Sequence, residues 1–517
     1  MSFNVAMLSV GNTYISYLYN DGLNRVTSKE LHTGTQTLEH TFTYEKNRVK
    51  SEDIFGDELL SYTFDSMGNI SSITDLYDSS NNKTYTYDKF GRLIEEYDRK
   101  DDSFTFYSYD SNGNILSIVE ENPDGNILSS VSYHYTNDKL DCLYNELNEE
   151  EIYVLEYDGH NPTKINNNDI TYEGRRIKTY GSNEYFYNEE GIRVKKIAST
   201  GNTHEYTLEG TKIISEKICT TSNNSLVAQL DYNYDVNGQL ISVEYNDNIY
   251  FYIKDILGNI IKIIDKNNRD IVKYKYNSWG VVIRTICVTT SDASYLLAYY
   301  NPFVFKSYCY DPETRLYYLN SRFYSPELCR FITVDDYSYL DPQSINGLNL
   351  YAYCVNDPVN KYDPTGHFAI STLTLIIIGA AVLTTAGVII YGAVTDTPVV
   401  LDISFTIPIK LKEINSKVGF SLVLDFKNKN VEGYFHAGGS VGFLSPGLGY
   451  SVGIIENYKN PGDYAKHFTN VGVNIGVGIE HCFDPTKPYS STVKATTITF
   501  STGKSAYVGY DYYWQVF

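Results

Sequence analysis

Methionine and tryptophan are scarce in this sequence, with three and two residues, whereas tyrosine occurs 51 times. Cysteine occurs seven times, at widely spaced positions, without a CxxC pair or a partnering histidine cluster. This spacing indicates neither a disulfide framework nor a zinc site, and no metal or other cofactor is expected. The N-terminus lacks a basic region followed by a continuous apolar stretch. No secretory signal is therefore predicted, and export would use a non-classical route.

Arginine is absent from residues 395–517, where ten lysines balance ten aspartates and glutamates. The whole formal net charge of −21 therefore lies before this part of the chain. Phosphate recognition usually requires clustered lysine and arginine, so no nucleic-acid partner is expected. The contrast in charge predicts separate domains in a chain long enough for several cores.

A short motif recurs along the first half of the chain, as in YTYDKFG from Tyr85 and YSYDSNG from Tyr107. Each copy has alternating aromatic residues and then an Asp or Asn three residues before a Gly. Seven pairs keep this spacing: Asp65 and Gly68, Asp88 and Gly91, Asp110 and Gly113, Asn188 and Gly191, Asp235 and Gly238, Asp255 and Gly258, and Asn277 and Gly280. The pattern predicts a β-hairpin whose turn has Asp or Asn bonded to its own backbone and Gly at positive φ.

One hairpin cannot bury its apolar face alone, so successive units are expected to pair into a long sheet. Degenerate units at Tyr17 and Phe42 extend the sheet toward the start of the chain. The repeated aspartates are interpreted as turn residues, since each unit offers one carboxylate where calcium requires several oxygens. The tyrosine stripe is interpreted as core and sheet edge instead of a sugar-binding platform.

These motifs resemble the YD repeats of Rhs and teneurin-type proteins over about residues 1–367. The stretch from YDPETRLYYLNSRFYSPE to YDPTGH, residues 310–367, is similar to the Rhs repeat-associated core. The resemblance implies a mainly β protein in which a hairpin spiral forms a shell around a hollow interior. The predicted domains are the YD-repeat shell (1–300), the core (301–367), a long hydrophobic helix (368–394) and a variable β-rich domain (395–517). Because a closed container usually takes more repeats than this chain supplies, the shell could be incomplete.

Some members of this family cut themselves at the boundary through an aspartic-protease-like site. The resemblance implies that Asp335 and Asp363 are the two carboxylates, that Arg322 assists them and that the cut follows His367. Such chemistry needs two carboxylates that share one proton, so that the ionised one activates water. The sequence departs from the family pattern at Asp336, where Pro is common, and at His367, where Leu is common. The alternative interpretation is that Asp335 and Asp363 are turn and cap residues that close the shell.

Residues 368–394 form a 27-residue stretch without a charge. As a helix this stretch would be about 40 Å long, which exceeds the roughly 30 Å hydrocarbon core of a bilayer. It is interpreted as a transmembrane helix or, equally, as an apolar segment held in the shell or docked on the next domain.

Alternating apolar residues return after Thr397 and predict a small antiparallel β-barrel or sandwich. Residues 418–426 and 470–482 are predicted strands, and the last 27 residues are predicted to form a hairpin that turns near Thr502 and Gly503. Three histidines, His436, His467 and His481, lie in this domain without a recognisable enzyme motif.

The favoured hypothesis is an Rhs-type polymorphic toxin-like protein whose β-shell presents or delivers a membrane-acting C-terminal effector. The expected location is secreted or at the cell surface. The expected partners are a membrane or neighbouring cell surface, an N-terminal shell or delivery protein, and an immunity protein. Two alternatives stay open. One is a surface adhesion or structural protein anchored by residues 368–394, and the other is an enzymatic toxin that uses one of the three histidines.

Overall fold

The computed structural model describes residues 5–515 except 11–12, 20–25, 46–47, 138, 236–237, 338–348, 368, 372–398, 410–413, 426–429, 445–446, 457–466 and 484–493. The described residues up to 286 form one antiparallel meander of 27 strands in which each strand pairs with the next along the chain. The strands are β1 Val5–Val10, β2 Thr13–Tyr19, β3 Val26–His32, β4 Thr37–Glu45, β5 Arg48–Ile54, β6 Glu58–Phe64, β7 Ile70–Asp75, β8 Lys83–Tyr87, β9 Leu93–Asp98, β10 Ser103–Tyr109, β11 Ile115–Glu121, β12 Ile127–Thr136, β13 Lys139–Asn145, β14 Glu150–Asp158, β15 Asn161–Ile165, β16 Asn168–Glu173, β17 Arg176–Tyr180, β18 Asn183–Tyr187, β19 Arg193–Ile197, β20 Asn202–Glu209, β21 Lys212–Thr220, β22 Leu226–Tyr234, β23 Leu240–Tyr245, β24 Asn248–Lys254, β25 Ile260–Asp265, β26 Asp270–Tyr276 and β27 Val282–Ile286. The predicted long sheet of hairpins is confirmed.

The seven Asp/Asn-to-Gly spacings form the same turn. In each, the Gly N–H donates to the carbonyl of the Asp or Asn three residues earlier, at 2.8 to 3.3 Å. All seven glycines have positive φ, for example 78° at Gly91 and 81° at Gly113. The side chain of the first residue accepts further backbone N–H groups, as Asp110 does from Asn112 and Asn114 at 2.8 Å. The interpretation of these residues as turn formers is confirmed.

The two aromatic positions of the repeated motif have different roles. The first faces the main hydrophobic core and is buried, as at Tyr85 and Tyr107. The second ties its hairpin to the preceding one through a hydroxyl that donates to a backbone carbonyl. The donor and acceptor pairs are Tyr87 and Ile70, Tyr109 and Leu93, Tyr135 and Ile115, Tyr187 and Ile177, Tyr234 and Ile213, and Tyr276 and Ile260, at 2.5 to 2.9 Å. The high tyrosine content therefore supplies both the core and a ladder of links between units.

The meander overlaps itself. Tyr252 of β24 faces the main core, whereas its neighbours Phe251 and Ile253 pack with Ile15 of β2 and Leu31 of β3. Adjacent residues of a strand point to opposite faces, so the first strands cover the outer face of the last ones. Two polar contacts join the overlapped layers. The Thr33 hydroxyl donates to the Lys266 carbonyl at 2.8 Å, and Asp57 forms an ion pair with Lys262.

Residues 301–367, called the core segment here, follow the short helix α1 Tyr295–Tyr300. Four strands form one small sheet: β28 Cys309–Asp311, β29 Leu316–Leu319, β30 Arg322–Ser325 and β31 Arg330–Phe331. All seven glycine turns lie at the same end of the strands. The core segment lies across that end. Among the described residues, hydrogen bonds join it to five of the seven turns, through Asn360 to Ile70, Asn356 to Gly113, Tyr318 to Arg193, Ser307 to Gly258 and Tyr317 to Gly280. The core segment thus closes this end of the meander.

The predicted helix at residues 368–394 lies largely outside the described residues. Where its first residues are described, the prediction is wrong: β33 Ile370–Ser371 pairs antiparallel with β32 Lys361–Tyr362. The two strands form a separate two-stranded sheet, in which backbone groups pair without a helix. Within the described parts of the chain, no helix is long and apolar enough to cross a membrane.

The C-terminal part contains β34 Val399–Ile409, β35 Ile414–Asp425, β36 Asn430–Leu444, β37 Gly447–Glu456, β38 His467–Phe483 and β39 Lys494–Gln515. Backbone pairing runs from β34 through β35, β36, β39 and β37 back to β34, and β38 pairs with the other edge of β39. The predicted strand at 470–482 is confirmed within β38, and the predicted strand at 418–426 is confirmed up to Asp425, where β35 ends and the described residues stop.

The predicted hairpin at Thr502 and Gly503 is wrong, because β39 continues through both residues. Ile475 pairs with Lys504 and Val477 with Phe500, so β39 has two extra residues at this point. The irregularity is a bulge. On the opposite edge of β39 the partner changes there from β37 to β36. A glycine that permits a turn also permits this change of partner within one strand.

Candidate functional site

A tight turn at residues 363–367 ends the core segment. The Asp363 Oδ1 atom accepts three backbone N–H groups within it: those of Thr365, Gly366 and His367, at 3.2, 2.7 and 3.2 Å. A short side chain that bonds to its own following backbone is typical of such turns. Gly366 has φ +79°, a conformation that glycine adopts without steric cost.

The turn is held against the connection between β29 and β30. The Ser321 hydroxyl donates to the Thr365 carbonyl at 2.7 Å, and the Arg322 Nε–H donates to the Gly366 carbonyl. A Cβ atom at Gly366 would lie 2.6 Å from both the Leu319 carbonyl oxygen and the Ser321 hydroxyl. The close approach therefore requires glycine at this position.

Arg322 connects the turn to Asp335. Its Nη2 atom lies 2.8 Å from Asp335 Oδ2, and its Nη1 atom donates to the Leu350 carbonyl at 2.8 Å. The guanidinium carbon lies 3.6 Å from the centroid of the Phe331 ring, a cation–π contact. Arg322, Asp335 and Asp363 are all buried.

His367 touches both predicted carboxylates. Its backbone N–H donates to Asp363, and its ring Nδ1 lies 2.7 Å from Asp335 Oδ1. The ring is partly exposed, with 29% of the side-chain surface accessible. Asp335 Oδ1 also accepts the backbone N–H of Asp336 at 2.7 Å.

Burial governs the electrostatics of this cluster. Burial raises the pKa of Asp363, although Arg322 and the backbone N–H groups of the turn act in the opposite direction. Burial likewise lowers the pKa of Arg322 to about 10, against the attraction of Asp335 and Asp363, so its guanidinium stays protonated at neutral pH. The site therefore places a carboxyl that resists ionisation beside a carboxylate that is paired with a cation.

The structure brings together all four residues that the resemblance singled out: Arg322, Asp335, Asp363 and His367. The arrangement suits the self-cleavage interpretation and also the turn-and-cap interpretation, because Asp363 does form the turn. Sequence reasoning missed Gly366, Phe331 and the Leu350 carbonyl. The glycine in the YDPTGH stretch was a usable signal, whereas nothing in the sequence predicts the other two contacts.

The histidines of the C-terminal part are not gathered into one site by the backbone. His436 of β36 and His467 of β38 lie opposite the neighbouring residues Tyr513 and Tyr512 of β39. His481 lies opposite Thr496, near the other end of β39. Among the residues that the structure describes, no group of three or more His, Cys, Asp or Glu could hold a metal ion.

Comparison with known proteins gives one family, described as Teneurin YD-shell, whose match covers residues 40–359. The tRNA3(Ser)-specific nuclease WapA of Bacillus spizizenii is 34% identical over 184 residues, which are 36% of this chain and 7% of that protein. The chain thus matches only a small part of this relative's length.

Two solved structures share the fold. The crystal structure of TcdB2-TccC3-TEV matches with a TM-score of 0.51 and 18% identity, over 68% of this chain and 20% of that one. The structure of TcdB2-TccC3 without its hypervariable C-terminal region matches with a TM-score of 0.52 and 17% identity, over the same shares. At these identities the likeness concerns the fold alone.

Proposed function

The chain belongs to the teneurin YD-shell family, and on that premise we propose that it is an Rhs-type toxin-like protein that presents or delivers a C-terminal effector. In this proposal residues 395–517 are the effector, and the protein frees it by cutting its own chain after His367. The observation that carries the proposal is that Asp335 and Asp363 both contact His367.

The proposed reaction is hydrolysis of the peptide bond that follows His367. The Asp335 carboxylate takes a proton from a water molecule, whose oxygen forms a bond to the His367 carbonyl carbon. Asp363, which burial keeps protonated to higher pH, gives its proton to the leaving nitrogen as the C–N bond breaks. The products are a carboxylate at His367 and a free amine on the next residue, and the atoms of one water molecule are consumed.

Arg322 has two roles in this proposal. Its guanidinium holds the Asp335 side chain in an ion pair, and its Nε–H holds the Gly366 carbonyl, one residue before the reacting bond. A fixed carbonyl next to the bond limits rotation of the chain and so orients it for attack. Arg322 is therefore a positioning residue for the reaction.

The target of the effector is proposed from the composition of residues 395–517. The absence of arginine from residues 395–517 favours a target other than nucleic acid, and we keep membranes and neighbouring cells as the proposed targets. Secretion, a delivery partner and an immunity protein belong to the same proposal. Membrane association through residues 368–394 stays a prediction, as most of that segment lies outside the described residues.

The test is the intact mass of the full chain, purified and incubated at neutral pH, beside Asp335→Asn and Asp363→Asn. We expect two fragments that separate after His367 in the unmodified protein and one uncut chain in each variant. Asp357→Asn is the matched control, since Asp357 is buried in the same segment but accepts a hydrogen bond from Asn360. Fragments of the same masses from Asp335→Asn and Asp363→Asn, under conditions where all four proteins are folded, would contradict self-cleavage through these carboxylates.

A further inference from the structure

Both oxygens of the Asp335 carboxylate lie within hydrogen-bond distance of neighbouring donor groups. Oδ2 faces the Arg322 guanidinium at 2.8 Å. Oδ1 faces the Asp336 backbone N–H and the His367 ring Nδ1, each at 2.7 Å. The first two donors belong to the frame of the core segment, whereas the third is the side chain of the residue that precedes the proposed cut.

This crowding bears on the reaction. A carboxylate oxygen has about two lone-pair positions, and two donors already occupy those of Oδ1. Oδ1 is the oxygen that faces His367, the residue whose carbonyl carbon is attacked, and a water molecule that gives its proton to Oδ1 needs one of these positions. The His367 ring therefore occupies the place next to Oδ1 that the attacking water requires.

We infer that the His367 side chain is a cap that holds the self-cleavage site at rest, so that the chain regulates its own cutting through the residue at the cut. This inference rests on the function proposed above. Its geometric basis is the double contact of His367: the backbone N–H keeps the residue in the turn, while the ring covers the Asp335 carboxylate. The ring is partly exposed to solvent, whereas the backbone N–H that holds the turn is a separate contact.

Several charged groups lie around the His367 ring and bear on the strength of its contact with Asp335. Asp335 contacts the ring directly, Arg322 lies behind Asp335, and Asp363 contacts the His367 backbone. Asp336 is the next acidic residue and is paired with the exposed Arg175. Donation to a carboxylate requires hydrogen on Nδ1, and a protonated ring forms the stronger, charge-assisted bond. The contact with the Asp335 carboxylate therefore holds the ring over the site.

The test compares cleavage time courses of the full chain with those of His367→Leu and His367→Gln, followed by intact mass. Leu removes the donor. Gln keeps an N–H that can reach Asp335 but has no titratable group. We expect His367→Leu to be cut roughly tenfold faster or more, the factor that corresponds to the loss of one charge-assisted hydrogen bond. His367→Gln should be cut at a rate closer to that of the unmodified protein.

The double variant Asp335→Asn with His367→Leu must stay uncut, which shows that the faster reaction uses the same carboxylate. Circular dichroism and the thermal midpoint verify that each variant is folded.

The outcomes separate the two claims. Cutting of the unmodified chain with no acceleration in His367→Leu would overturn the cap and leave the proposed self-cleavage intact. Absence of cutting in both the unmodified chain and His367→Leu would overturn both, since an uncapped site must act. Cutting of His367→Leu alone would support the cap most strongly.

Discussion

The Nη2 atom of Arg322 lies 2.8 Å from Oδ2 of Asp335, with 6% and 5% of the two side-chain surfaces exposed. The same guanidinium donates to the carbonyls of Leu350 and Gly366. One cation therefore joins three stretches of the core segment that are far apart along the chain. The ion pair between Arg322 and Asp335 therefore stabilises the core segment, and this role does not depend on self-cleavage.

Replacing Arg322 with Met should lower the free energy of unfolding by about 3–5 kcal/mol, because it leaves the Asp335 carboxylate buried without its cation. The variant should also stay uncut. The thermal midpoint and the intact mass check the two effects. Arg315→Met is the control: Arg315 is exposed and pairs with Glu327 at 3.1 Å, so its loss should cost about 0–1 kcal/mol. Equal losses in both variants would contradict the assigned role of burial.

Gly366→Ala should disrupt the turn beneath His367. The new Cβ would lie 2.6 Å from the Leu319 carbonyl oxygen, at a φ of +79°. Gly91→Ala is a close match, since Gly91 has a φ of +78° but an added Cβ would meet nothing within 4 Å. Backbone strain alone should cost about 1 kcal/mol at Gly91, and the steric clash at Gly366 should add to that. A smaller fall in thermal midpoint for Gly366→Ala than for Gly91→Ala would contradict the close contact.

The junction between the meander and the core segment should weaken in acid. Asp311 is buried and pairs with Arg193 at 2.5 Å and Lys196 at 3.0 Å. Burial alone would raise the pKa of Asp311, but the two cations outweigh it and hold the pKa below its ordinary value of 3.8. A lowered pKa contributes stability that is complete above pH 3.8 and is lost as the pH falls through the lowered value.

Asp311→Asn should therefore lower the thermal midpoint at pH 7. The difference in thermal midpoint between this variant and the unmodified protein should become smaller as the pH falls below 3.8. The control is Asp124→Asn in an exposed turn, which should leave the midpoint unchanged. A constant difference between Asp311→Asn and the unmodified protein from pH 7 down to pH 2.5, about one unit below the ordinary value, would contradict this linkage.

The candidate site was only partly predictable. The resemblance identified Arg322, Asp335, Asp363 and His367, and the structure brings these four together. It could not predict that the His367 ring would cover Asp335, because the family commonly has Leu there. The hairpin predicted at Thr502 and Gly503 was wrong, because glycine permits both a turn and a bulge. The partner strands on each side of β39 select the bulge, and these partners are distant in the sequence.

The repeating unit follows from short-range sequence patterns alone. The spacing from Asp or Asn to Gly sets the turn, and the alternation before it sets which aromatic ring faces the core, because both depend on neighbouring residues. The way in which the units pack on one another depends on contacts that exist only in the folded chain. The overlap of β2 and β3 on β24, and the meeting of Arg322 with Asp335 and Gly366, are long-range contacts that depend on the accumulated curvature of many strands. Local sequence patterns do not encode that curvature, so these contacts emerged only when the whole meander was assembled.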